Sequence, residues 1–135
     1  MEYLIGVGVA VTVCTFGVLA GFDRDRVFYP TMAIVVASYY ILFAAMGSSA
    51  RALALESVAA GVFVALAVAG FHKSLWLIVV ALVGHGVFDF FHHYLVQNPG
   101  VPVWWPGFCL SFDVLAGGFL AVLLMRGSRS PLKSN

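Results

Sequence analysis

Hydrophobic residues fall along the chain in five stretches, at about Tyr3–Phe22, Thr31–Gly47, Ala52–Phe71, Ser74–Val96 and Phe108–Met125. Each approaches the roughly 20 apolar residues that a helix needs to cross about 30 Å of hydrocarbon. Short segments containing Gly, Pro or charged residues separate them. The pattern predicts an all-α integral membrane bundle of five transmembrane helices, with consecutive helices as antiparallel neighbours. Residues 1–125 are read as one transmembrane domain and 126–135, rich in Ser, Arg and Lys, as a short disordered cytoplasmic tail. The first stretch carries Glu2 in place of a basic leader and lacks a small-residue cleavage site, so it is read as a span rather than a signal peptide.

The fourth stretch breaks the apolar pattern with His85, Asp89, His92 and His93. On insertion scales an acidic residue at the centre of a membrane helix costs about 2.5 kcal/mol or more, so such residues need a partner or a task. On a helical wheel His85, Asp89 and His92 fall within an arc of about 60° at about 100° per residue, and His93 lies about 40° beyond Asp89. Asp89 thus has imidazoles at i−4, i+3 and i+4, all spacings at which side chains meet. Glu56 in the third stretch and Asp113 in the fifth lie at a similar depth, about 7 and 8 Å from the same end at about 1.5 Å per residue. Cys109, Asp113 and Gly117 share a face, and Gly117 with Gly118, like Ala60 and Gly61, would let helices approach closely. Tyr39 and Tyr40 are read as packing aromatics in preference to hydroxyl donors to the site, His72 as a solvated interfacial residue, and Ser57, Ser111, Thr12 and Thr15 as bonding to the backbone one turn back.

Composition fixes the solvent. Only 10% of the 135 residues are charged and 62% are hydrophobic, against about a quarter charged in soluble domains. The mean hydropathy of +1.02 points the same way. A net charge of +1 gives no basic surface for nucleic acid. Cys14 and Cys109 form no C-x-x-C pair and read as small buried hydrophobes. Arg24, Arg26, Lys73, Arg126, Arg129 and Lys133 fall on one side of a five-span chain and only Arg51 on the other. The positive-inside rule then puts the C-terminus in the cytoplasm and the N-terminus outside. Trp76 would anchor the inner interface, Trp104 and Trp105 the outer one.

The segment His85–Asp113 reads H-x3-D-x2-H-H, then Asn98-Pro99, then Cys109-x3-Asp113. It resembles a family of small bacterial polytopic membrane proteins. That resemblance implies a multi-pass protein of the bacterial inner membrane and implies no activity, substrate or metal. In architecture alone, five short spans with His and acidic residues in an outward cavity are similar to membrane sterol-isomerase-type folds.

The expected function is an enzyme acting on a lipid or isoprenoid-like molecule at an outward-facing site, with Asp89, His92, Asp113 and Glu56 as catalytic residues. In a metal version, His85, Asp89 and His92 or His93, completed by Glu56 or Asp113, hold a zinc-like ion that activates water for hydrolysis. In a metal-free version, a buried carboxyl donates a proton and an Asp-oriented His removes one, giving isomerisation or cyclisation. Three imidazoles exceed what acid–base work requires, which favours the metal version. The competing class is a non-enzymatic small-molecule or metal-ion binding or transport protein, though the inner halves of the helices offer no polar path. The expected partners are the lipid bilayer and a lipid-like molecule, and nothing in the chain indicates an oligomer. The loop Asn98–Gly107, stiffened by prolines, would roof the site and admit an amphipathic molecule.

Overall fold

The computed structural model describes residues 1–127, and the expected tail beyond Gly127 lies outside them. The described residues form five α-helices, α1 (Glu2–Ala20), α2 (Phe28–Met46), α3 (Ala50–His72), α4 (Trp76–Leu95) and α5 (Trp105–Met125), with a short 3-10 turn at Phe22–Arg24. All five helices are long and apolar enough to cross a membrane.

Helix ends follow local chemistry. Gly21 closes α1 in the left-handed region at φ 79°, where a Cβ would be strained. Ser49 caps α3 by accepting the Ala52 N–H at 3.2 Å. The Arg26 guanidinium donates to the Phe71 and Gly70 carbonyls at 3.1 and 3.3 Å, satisfying the exposed end of α3. Helices α2 and α5 start earlier than expected, three residues ahead in each case (Phe28 for Thr31, Trp105 for Phe108). Pro30 and Pro106 sit in their first turns, where the missing N–H has no helical acceptor to lose.

Helices α2 and α3, α3 and α4, and α4 and α5 pack as consecutive neighbours. Helix α1 departs from the expectation: it packs on α5 rather than α2. A Cβ at Gly6 would press on the Phe108 carbonyl and Ser111 Oγ, and one at Gly107 on Glu2 and Tyr3. The two helices therefore run parallel, and the chain begins at the end of the bundle that also holds residues 96–104. We call this the loop end.

Close approaches recur between α4 and α5. A Cβ on Gly86 would stand 3.3 Å from the Leu110 carbonyl, and one on Gly117 would stand 2.8 Å from Val83. Gly118 and Gly61 meet nothing and do not serve this purpose, contrary to the expectation from their spacing. The apolar core lies toward the opposite end and joins all five helices, through Cys14, Met32, Ala67, Ile78, Leu82, Ala116 and Leu120. Both cysteines are free and buried.

Candidate functional site

Five ionisable side chains from three helices are buried together in the half of the bundle nearest the loop end: Glu56, His85, Asp89, His92 and Asp113. Their placement follows from the periodicity of α4, whose inward face carries Ile78, Ala81 and Leu82 before His85, Asp89 and His92. At about 1.5 Å per residue, His92, Asp89 and His85 descend from the C-terminus of α4 at about 4, 9 and 15 Å. The group therefore has a shallow tier and a deep tier.

In the deep tier His85 Nδ1 lies 2.7 Å from Asp113 Oδ2 and 3.3 Å from Asp89 Oδ2. The hydrogen bond of Nδ1 is to Asp113, and Asp89 Oδ2 is the more distant contact. In the shallow tier His92 Nε2 lies 2.7 Å from Glu56 Oε1. Asp89 joins the tiers. It belongs to the His85 group, and its Oδ1 accepts the Tyr40 hydroxyl at 2.6 Å, while the Tyr40 ring stacks on His92 with centroids 4.1 Å apart and planes 18° from parallel. Phe63 meets His85 edge-on at 4.8 Å and Phe88 meets His92 edge-on at 5.5 Å. The polar groups thus sit in an aromatic sleeve that restricts their rotamers.

Two members of the site exceed the roles expected of them. Tyr40, read as a packing aromatic over the alternative of a hydroxyl donor, supplies a hydroxyl to Asp89 as well as its ring to His92. Asn98, expected only as part of a stiff loop, donates from Nδ2 to Glu56 Oε1 at 3.0 Å and to the Tyr40 carbonyl at 3.1 Å. It also accepts the Gly100 N–H at 3.2 Å, so one amide ties the loop to α2 and α3. The Asn-Pro-Gly turn sequence was visible, but nothing in it says that the amide reaches inward.

His93 stands apart. It is exposed and lies against Tyr94 with ring centroids 3.7 Å apart, on the shoulder of α4 outside the cluster. The metal grouping is correspondingly different from the one expected: the ligand atoms that converge within 4.8 Å belong to His85, Asp89 and Asp113, without His92 or His93. The geometric reason is the pairing of His92 with Glu56, which turns its Nε2 toward α3.

Thr12, Ser57 and Ser111 donate to carbonyls three or four residues back as expected, whereas Thr15 makes no such bond among the described residues. His72 is exposed. Trp76 and Trp104 are exposed as interface anchors would be, but Trp105 is half-buried and packs edge-on against Tyr39 and Phe43.

A cleft of about 1250 Å³ opens at the loop end beneath residues 96–103, between the α3–α4 and α1–α5 pairs. Of the five clustered residues, only Asp89 and His92 border it, and the exposed His93 and Arg51 and the half-buried Glu2 line it as well. Glu56, His85 and Asp113 stand behind Asp89 and His92. Comparison with models of protein families, with curated proteins and with solved structures finds no match to this chain.

Two of the clustered side chains face the cleft, each held from behind. His92 is oriented by Glu56, which fixes the imidazole through Nε2. Asp89 is flanked by a hydroxyl donor and a second imidazole. Among the buried oxygens, Glu56 Oε2, Asp89 Oδ2 and Asp113 Oδ1 make no hydrogen bond. Three carboxylates thus face two imidazoles in a low-dielectric interior, where a charge without a partner is costly.

Proposed function

We propose that this protein is a multi-pass enzyme of the bacterial inner membrane that acts on a lipid or isoprenoid-like molecule by proton transfer between His92 and Asp89. The observation that carries this reading is the pair of residues at the cleft, Asp89 and His92, each backed by a partner suited to proton exchange. His92 Nε2–H donates to Glu56, leaving Nδ1 as the base that takes a proton from substrate carbon. Asp89 gives a proton to another carbon of the same molecule. The proton lost and the proton gained balance, so the net result is isomerisation, or cyclisation when the protonated carbon is attacked from within the molecule. The positive-inside rule supports a loop end facing outward, because Arg24, Arg26, Lys73 and Arg126 fall at the opposite end. The cleft then faces the outer leaflet.

A second reading has one observation in its favour, the convergence of His85, Asp89 and Asp113 within 4.8 Å. A zinc-like ion held there would activate water for hydrolysis. Tetrahedral zinc with ligands at about 2.1 Å sets them about 3.4 Å apart. The 3.3 Å separation of His85 and Asp89 fits, while the 2.7 Å separation of His85 and Asp113 is a hydrogen-bond length. Proton transfer therefore leads.

The test is comparative lipidomics of a deletion strain complemented with wild type, Asp89→Asn or His92→Gln. A lipid species should accumulate in the deletion and in both variants and disappear with wild type. Complementation by both variants at normal membrane abundance would reject the reading. Zinc at one ion per chain, lost on His85→Ala together with complementation, would move the chemistry to the metal version.

A further inference from the structure

The cleft contains a cation that proton transfer does not use. Arg51 lies on its rim in the first turn of α3, exposed, with no hydrogen bond or ion pair among the described residues. Every other Lys or Arg among those residues falls in the opposite end of the chain's alternating pattern. An unpaired arginine on the side of a membrane protein that otherwise lacks basic residues is an exception to the charge pattern that orients the chain. It coincides with the mouth of the site.

Arginine recognises phosphate and carboxylate through a planar fork of donors. Its position in the first turn of a 23-residue helix adds the positive end of the helix dipole. Below it Leu55, Phe90 and Leu110 give the cleft apolar wall beside Asp89 and His92, while Glu2, His93 and Tyr94 line it too. Glu56, which orients His92, follows Arg51 by about 7.5 Å along the helix at about 1.5 Å per residue. A molecule that satisfies all three regions has an anionic head at the rim, an apolar body along the walls, and its reacting carbons several bonds below the head.

We propose that the substrate of this site is an anionic amphiphile whose phosphate or carboxylate head is held by Arg51. The inference rests on the proton-transfer reading for the identity of the site, but its test reads binding alone. Protein purified in neutral detergent micelles is titrated calorimetrically with dodecyl phosphate, with dodecanol and with inorganic phosphate.

Dodecyl phosphate should bind about tenfold or more tighter than dodecanol, a preference of about 1.4 kcal/mol. Arg51→Ala should remove that preference and Arg51→Lys should keep part of it. Equal binding of the two amphiphiles, or an undiminished preference in Arg51→Ala, overturns the proposal. Displacement of dodecyl phosphate by millimolar inorganic phosphate also overturns it, because the site would then take a free anion. The double variant Asp89→Asn, His92→Gln should retain the preference. A failed lipid complementation test with this preference intact removes the chemistry and leaves the binding site. The reverse result leaves the chemistry and removes Arg51 from it.

Discussion

The buried face of α4 is one surface built in two ways. Ile78 and Leu82 in one half, and Asp89 and His92 in the other, are all at most 2% exposed. The apolar half is held by close contact: Ile78 presses on Gly70 of α3, and Leu82 and Val83 on Gly117 of α5. Lipid tails are as apolar as leucine, so this half gains stability from fit rather than from leaving water. The polar half gains it only if each charge keeps its partner, since an unpaired charge in hydrocarbon costs several kcal/mol. The polar half ties α2, α3, α4, α5 and the loop through side-chain bonds, where the apolar half does so through shape.

The sharpest way to break this contrast is to exchange its halves functionally. His92→Gln should lower turnover of the accumulating lipid by about 10²–10⁴-fold. Leu82→Ala should cost about 2–5 kcal/mol of stability through its cavity yet leave turnover per folded molecule near wild type. Turnover normalised to correctly folded protein decides between them, and equal losses would show that α4 is uniformly structural.

Within the polar half, Glu56→Leu strands the His92 Nε2–H and the Asn98 amide, and should cost about 3–5 kcal/mol. Unfolding in mixed detergent micelles measures it. An unchanged midpoint would mean that the Glu56–His92 pair is not formed.

Tyr40→Phe keeps the ring on His92 and removes only the hydroxyl from Asp89, so a smaller loss of about 1–2 kcal/mol is expected. A larger loss would place Tyr40 at the centre of the network rather than at its margin. The smallest effect belongs to His93→Ala. An exposed side chain on the helix shoulder should change stability by no more than about 0.5 kcal/mol. A loss as large as that from His92→Gln would exchange the roles of the two histidines.

The carboxylates and imidazoles were legible in the sequence because an ionisable residue in an apolar stretch has few innocent explanations. Glu56, His85, Asp89, His92 and Asp113 all stood out on that ground, and their common depth followed from counting residues. Tyr40 and Asn98 did not stand out. Tyrosine is ordinary in a membrane helix and asparagine is ordinary before Pro-Gly, so only the rotation of α2 against α4 reveals what each touches. The separation of His92 from His93 was likewise beyond the wheel, which allowed both near Asp89. The five helices were legible from length and hydropathy, but the seating of α1 was not. Its contact with α5 depends on Gly6 and Gly107, two glycines among 14.

The loop over the cleft meets α2 at two glycines. Gly100 lies against the Phe43 carbonyl and the Gly47 N–H, so close that neither glycine has room for a side chain, and Asn98 fastens the same stretch to Glu56 and Tyr40. A canopy riveted in this manner does not swing. Visitors would be sorted by the standing width of the doorway and by sideways diffusion from the surrounding leaflet, so capture speed should follow how crowded that leaflet is with suitable molecules, not the beat of a flap.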